Sequence, residues 1–227
     1  YVLGLYDFLE RLVNRYPNIL IEGCSGGGGR FDAGMLYYTP QIWCSDNTDP
    51  IDRLRIQYGT SFIYPASSMG AHVSASPNHQ TGRITPMETR GMVAMAGTFG
   101  YELNLNEISE EEKDEIRRQI AEYKKYAALV QRGLYYRLTN PHTDNQGAWE
   151  FESEDQKEAL VQVVGIRKHA NMTVDYIKVK GLKENAMYRD TETGILYNST
   201  ALSEAGVPKP VLHGEYQPYQ WHFVLEE

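Results

Sequence analysis

The chain has 227 residues, 41 % of them hydrophobic and 23 % charged, with a formal net charge of -8 at pH 7 and a pI near 5.3. That acidity excludes a general nucleic-acid or anionic-membrane surface, because both need clustered Lys and Arg against phosphate, and it suits a neutral polar substrate better. No apolar run approaches the roughly 20 residues of a membrane span and no signal peptide opens the chain. Cys24 and Cys44 form neither a CxxC pair nor a cluster with His, which predicts a reducing compartment, the cytoplasm, rather than a disulfide scaffold.

In chain order, Tyr1 to Tyr16 sets Leu5, Phe8, Leu9, Leu12 and Val13 on one face with Glu10, Arg11 and Arg15 opposite. This is the period of a half-buried helix, which Pro17 ends. "NILIEGC" predicts a short buried strand running into four glycines, and "QIWCSD" a second strand running into a polar turn. Asp49 followed by Pro50 starts a helix, with Asp as cap and Pro in the first helical position, that ends on Gly59. "TSFIYP" predicts a third strand. Thr85, Pro86 and Glu88 predict a capped helix through Met95, and "TFGYELNL" a fourth strand. Ser109 caps a long amphipathic helix carrying Ile116, Ile120, Tyr123 and Leu129 to Gly133. The acidic run from Glu110 to Glu115 sits at its positive end and needs no other role.

Strands alternating with helices predict an α/β layer of parallel strands with helices outside. Four such strands make about half of an eight-stranded barrel, whose usual length is roughly 250 residues. The chain also opens at Tyr1, with no initiator Met and already inside a helix, as a segment of a longer polypeptide would. Beyond Leu138 the texture changes. "GAWEFES", "EALVQVVGIR", "DYIKVKGL" and "YQWHFVLEE" alternate apolar and polar residues between turn signals, as antiparallel strands do. The expected domains are therefore 1–138, an α/β half-barrel, and 139–227, a small antiparallel β-sandwich.

The segment "GCSGGGGRFD", Gly23 to Asp32, spends conformational entropy on its glycines and so asks for a use. A phosphate loop fails for want of a Lys, and a dinucleotide fingerprint for want of a correctly spaced third glycine and a helix. Gly23-Cys24-Ser25-Gly26-Gly27 fits the G-x-S-x-G nucleophile elbow, which leaves a Ser25 esterase as a minority reading, although too many glycines follow for the required helix. The alternative is backbone approaching a polar ligand at the carboxyl ends of barrel strands. On the end of the next strand stands Asp46, with Trp43 beside it; aromatic rings next to carboxylates build carbohydrate sites. On spacing alone Asp46 reads first as a helix-capping Asp in the turn before Asp49 and Pro50. Trp43 stays open between sugar platform and core aromatic.

The stretch from "CSGGGGRFDAGMLYYTPQIWCSDNTDP" through "PNHQTGR", continuing in "GTFGYELNL" and to the C-terminal strands, resembles the bacterial α-galactosidases of glycoside hydrolase family 36 over essentially the whole chain. The resemblance implies the second half of a TIM barrel followed by the family's C-terminal β domain. It also implies a retaining hydrolase that releases terminal α-D-galactose from melibiose- or raffinose-type oligosaccharides without metal or other cofactor. It makes Asp46, in W-x-S-D, the general acid/base, and Cys24 and Gly26 part of the galactose subsite with Trp43. The family's nucleophile lies in a K-x-D motif, and no strand here carries one. The chain is thus expected to hold the acid/base without the nucleophile and to be inactive when isolated; the intact enzyme is expected to be a homotetramer. A carbohydrate-binding fragment that needs a partner chain is the competing reading.

Other residues have blander expectations. Arg30 and Asp32 are expected to pair and brace the glycine loop, and Cys44 to lie in the core. His72 and His79 lack a third ligand for a metal and are expected to be buried histidines satisfied by neighbours. The 17 tyrosines read as packing residues with hydroxyls at the surface.

Overall fold

The computed structural model describes residues 1–168, 170 and 174–226. Helix α1 (Val2–Arg15) leads to strand β1 (Glu22–Gly23), a single glycine-rich turn α2 (Ser25–Gly28), helix α3 (Ala33–Tyr38) and strand β2 (Gln41–Ile42). Helix α4 (Pro50–Thr60), strand β3 (Gly70–Ser74), helix α5 (Met87–Met95), strand β4 (Thr98–Glu102) and helix α6 (Glu110–Arg132) follow. β1 pairs with β2 and β3 with β4, both parallel, and a parallel bridge from Ile42 to Met69 joins the two pairs. The result is an arc of parallel strands in sequence order, as the alternation of strand and helix requires.

Helix starts follow the expected chemistry in two of three cases. The Asp49 carboxylate accepts from the Ile51 and Asp52 amides at 2.9 and 3.1 Å, with Pro50 inside the first turn. Ser109 and Glu112 form a reciprocal capping box on α6. α5 differs: it starts at Met87, and Pro86 in the cap position offers no side-chain acceptor. Thr85 stands one residue too early to cap.

The expected strand at 60–65 is a second difference. α4 runs to Thr60 and the Ile63 and Tyr64 amides still bond back to the Thr60 carbonyl, leaving Phe62 and Ile63 60 % and 77 % exposed. The third strand is instead Gly70–Ser74, and Trp43 leaves little room at its first position: a Cβ on Gly70 would lie 3.1 Å from the Trp43 ring. α1 has the predicted period, yet of its apolar stripe only Leu9 is buried, packing with Met35 and Ile42.

After α6 the chain forms strands β5 (Leu134–Arg137), β6 (Gln146–Glu152), β7 (Glu158–Gly165), β8 (Tyr176–Ile177), β9 (Met187–Asp190) and β10 (Leu196–Asn198). Helix α7 (Ser199–Glu204) and strands β11 (Val207–Pro208) and β12 (Pro218–Leu225) complete it; Glu227, at the end of the last predicted strand, lies outside the described residues. The main sheet is antiparallel in the order β10-β9-β12-β7-β6-β5, so it begins before the expected division at 138/139. Its alternation is strict. Trp149, Phe151, Leu160 and Val164 pack against Ile51, Leu54, Met92 and Leu129 of the helices, while Ala148, Val161, Val163 and Phe223 pack against Ile177, Leu202 and Val207 beneath β8, α7 and β11. α4 is shared between the two regions: Leu54 lies where a Cβ on Gly147 would touch it at 3.1 Å, and Arg55 Nε donates to the Pro141 carbonyl at 3.1 Å.

Candidate functional site

The glycine run answers a conformational need. Ser25, Gly26, Gly27 and Gly28 have φ of 61°, 69°, 74° and 89°, one full turn in the left-handed region, closed by Gly28 N–H donating to the Cys24 carbonyl at 3.0 Å. L-residues there cost about 1–2 kcal/mol each, so three glycines avoid roughly 3–6 kcal/mol of strain. The turn presses the chain against the segment that follows β2. A Cβ on Gly27 would sit 2.8 Å from the Asp46 amide nitrogen and 3.3 Å from its carboxyl carbon, and one on Gly28 3.0 Å from the Cys44 carbonyl. Gly26, by contrast, faces open space. The glycines therefore serve approach to Asp46 and a free surface beside it. Ser25 leads into the left-handed turn rather than directly into a helix, α3 beginning only at Ala33, and among the described residues no histidine hydrogen-bonds it, so the elbow reading finds no support.

Strand β2 delivers the second wall. Trp43 N–H donates to the Gly23 carbonyl at 2.8 Å, continuing the β1–β2 pairing and setting Cys24 beside the segment that ends in Asp46. Asp46 is exposed, and among the described residues nothing hydrogen-bonds or ion-pairs with its carboxylate; only its backbone carbonyl is engaged, by Gln80 Nε2 at 3.1 Å. Capping belongs to Asp49, which is fully buried and also accepts from Thr81 Oγ1 at 2.6 Å and from Arg83. The two aspartates thus divide the structural and the unoccupied roles. Cys24 is exposed and unpaired at the end of β1.

Trp43 is 9 % exposed, with the Arg53 guanidinium 4.4 Å from its ring centre and the His72 ring at 4.7 Å. It supports the Asp46 segment from behind. Arg53 was not among the residues singled out in the sequence; its signal is a cation between Ile51 and Leu54 on the buried face of a short helix. Burial lowers its guanidinium from the ordinary value, with Cys44, Glu102 and Asp46 opposing that shift. Beneath it Gln57 Oε1 and Arg90 Nε, both buried, lack protein partners and belong to residues lining a cavity of about 10 Å³ with Thr48, His72 and Ser74. A polar cavity of that size suits one bridging water.

Two further expectations need correction. Asp32 does not pair with Arg30: its carboxylate caps α3 through the Met35 amide at 2.9 Å and accepts from Tyr6 Oη at 2.8 Å, while Arg30 lies over the Tyr1 ring. His79 is exposed, and His72 is only part-buried against Trp43. Cys44, by contrast, packs against the apolar cluster of Ile51 and Leu54 in line with its expected core position, half-buried and meeting Arg53 Nη1 at 3.1 Å. Among the described residues no group of three His, Cys, Asp or Glu is placed to hold a metal ion, and no helix is long and apolar enough to cross a membrane.

The sequence matches the melibiase family model over residues 1–133 and the glycosyl hydrolase family 36 C-terminal domain over 146–223. It is 60 % identical over 223 residues to the bifunctional α-galactosidase/sucrose kinase AgaSK of Mediterraneibacter gnavus, covering 98 % of this chain and 24 % of that protein. It is 49 % identical to α-galactosidase AgaA of Geobacillus stearothermophilus, covering 97 % of this chain and 30 % of that one. The solved galactosidase domain of AgaSK superposes with a TM-score of 0.98 at 59 % identity, covering 100 % of this chain and 31 % of that one. A variant of the Geobacillus GH36 α-galactosidase AgaA in complex with raffinose superposes with a TM-score of 0.97 at 48 % identity, with the same coverage. The chain spans between a quarter and a third of the length of these relatives.

Proposed function

Because the chain belongs to the melibiase family of glycoside hydrolase family 36, we propose that it supplies the acid/base half of an α-galactosidase active site that releases terminal α-D-galactose from raffinose-type oligosaccharides. The observation that carries this reading is the junction of two strand ends: a left-handed glycine turn, with Cys24 and the open face of Gly26, lies directly against an exposed Asp46 whose carboxylate has no hydrogen-bond or ion-pair partner among the described residues.

In a retaining displacement Asp46 protonates the glycosidic oxygen as the aglycone leaves, then as carboxylate takes a proton from the water that attacks the anomeric carbon. A carboxyl group already committed to a cap or ion pair serves that cycle poorly. Cys24 and Gly26 border the sugar ring, and Trp43 forms the packed wall behind the acid/base rather than an open platform. The nucleophile, an Asp of a K-x-D motif, comes from outside these 227 residues, with its carboxyl about 5–5.5 Å from that of Asp46, as retention demands.

The test is Asp46→Asn in the intact enzyme, assayed on raffinose and on a dinitrophenyl α-galactoside that needs no proton to leave. General acid catalysis contributes about 10²–10⁴-fold. A loss of that size on raffinose, with the dinitrophenolate burst rate kept within about tenfold, is expected. Equal loss on both substrates overturns the assignment, and sugar binding without turnover in the unaltered enzyme would replace it by a binding role.

A further inference from the structure

We propose that Arg53 is the positioning residue for the acid/base, fixing the height and direction of Asp46 by gripping the backbone on both sides of it. The inference rests on the acid/base reading of Asp46. Arg53 Nη2 donates to the Ser45 carbonyl at 2.7 Å and Nε to the Asn47 carbonyl at 2.7 Å, the residues before and after Asp46. Nη1 reaches the Gly70 carbonyl at 3.2 Å on the neighbouring strand and Cys44 Sγ at 3.1 Å, while the guanidinium plane covers Trp43. One side chain therefore touches residues 43, 44, 45 and 47 and leaves Asp46 itself free.

Arg53 is 3 % exposed, and among the described residues no carboxylate meets it at hydrogen-bond distance, Glu102 and Asp46 acting on it only at longer range. A buried cation without an ion-pair partner is poor economy for stability alone, since an apolar residue of similar volume usually serves folding as well. What the guanidinium supplies that an apolar residue cannot is a rigid fork of donors in fixed directions. The fork starts from α4, whose first turn is locked by the buried Asp49. Ser45 and Asn47 accept no other hydrogen bond at these carbonyls among the described residues, so their orientation follows Arg53. Lysine, with one nitrogen, does not span both carbonyls and Gly70 while covering the indole.

The experiment uses Arg53→Met, which fills the volume, and Arg53→Lys, which keeps the charge, in the intact enzyme, each beside Asp46→Asn. Misplacing a catalytic group by about 1 Å lowers turnover roughly 10²-fold. Both variants are expected to lose about 10²-fold in kcat on raffinose, to hold KM within about threefold, and to keep the dinitrophenolate burst rate within about tenfold. That is the pattern of Asp46→Asn in weaker form. Equal loss on both substrates, no loss on either, or failure of both variants to fold assigns Arg53 a purely structural role and overturns the proposal. If Asp46→Asn itself shows no leaving-group dependence, the acid/base reading falls instead, a result separate from the Arg53 outcome.

Discussion

In the antiparallel sheet, strands β6, β7 and β12 run seven or eight residues and send alternate side chains into two apolar layers. At the junction of β1 and β2 the paired strands are two residues long; Ile42 packs on Leu9 and Met35, but the segment that leaves β2 for Asp46 rests on the buried Arg53 guanidinium and on the glycine turn. The sheet obtains its order from area removed from water, which is indifferent to small shifts of any one atom. The junction obtains its order from directed hydrogen bonds and from contacts that only glycine permits. Substitutions in the two regions should therefore fail differently, one by unfolding and the other by misplacement.

The strongest contrast is Phe223→Ala. Phe223 is 0 % exposed in the middle of the outer apolar layer, and its removal is expected to destabilise the protein by about 3–5 kcal/mol in denaturant unfolding. The folded enzyme should keep its kcat; a proportionate fall in kcat per folded molecule would mean that the sheet steers the site directly. Gly27→Ala should do the converse. Its Cβ meets the Asp46 amide at 2.8 Å in a left-handed conformation, and on the proposed acid/base role of Asp46 the displacement should cost roughly 10²-fold in turnover, with about 1–2 kcal/mol lost in unfolding from the backbone conformation. A variant that unfolds without a kinetic defect when refolded would erase the distinction.

The sheet also buries polar side chains, among them two neighbouring carboxylates. Glu150 and Glu152 are 0 % exposed on the same face of β6; Glu150 Oε2 accepts from the Lys180 amide at 2.9 Å, while Glu150 Oε1 has no hydrogen-bond partner among the described residues and Glu152 has only the Tyr136 hydroxyl nearby. Burial pushes Glu150 up to about 8, aided by Glu152 and opposed by the Lys180 amide, and burial pushes Glu152 to about 7 against the nearby Tyr136 hydroxyl. Both folded values lie above the unfolded ones, so the folded state binds more protons. Stability is greatest below about pH 4.5, as far as this pair is concerned, and falls as pH rises towards 8. Glu150→Gln should flatten that slope and raise the midpoint of unfolding at pH 8; an unchanged slope would show that the pair titrates alike in both states. The smallest effect belongs to Ser109→Ala, which removes the α6 capping box at about 1 kcal/mol and leaves kinetics untouched in a raffinose assay.

Legibility in the sequence divided along the same line. The antiparallel strands, the α6 box and the Asp49–Pro50 start follow local rules and were readable. Strand β3 was not, because "GAHVS" has no apolar run; its Ala71 and Val73 are buried against Met87, Ala94 and Ile116 of later helices, while Phe62 and Ile63 of "TSFIYP" lie exposed after a helix end. Cys24, Gly26 and Asp46 were selected, and the structure brings their segments together. Their spacing alone did not disclose that the glycines form a left-handed turn, or that Arg53 on the next helix holds the Asp46 segment. Such facts depend on which backbone carbonyl a side chain reaches, and the hydropathy pattern carries no information on that.

α4 sends Arg53 to the backbone around Asp46, and from the adjacent positions Leu54 packs on Gly147 while Arg55 binds the Pro141 carbonyl. One short rod thus ends in the reaction site on one side and in the C-terminal domain on the other. If Asp46 is the proton donor proposed above, any tilt of that domain about the rod would move it, and the β domain would then tune the chemistry as well as cover the helices' apolar surface.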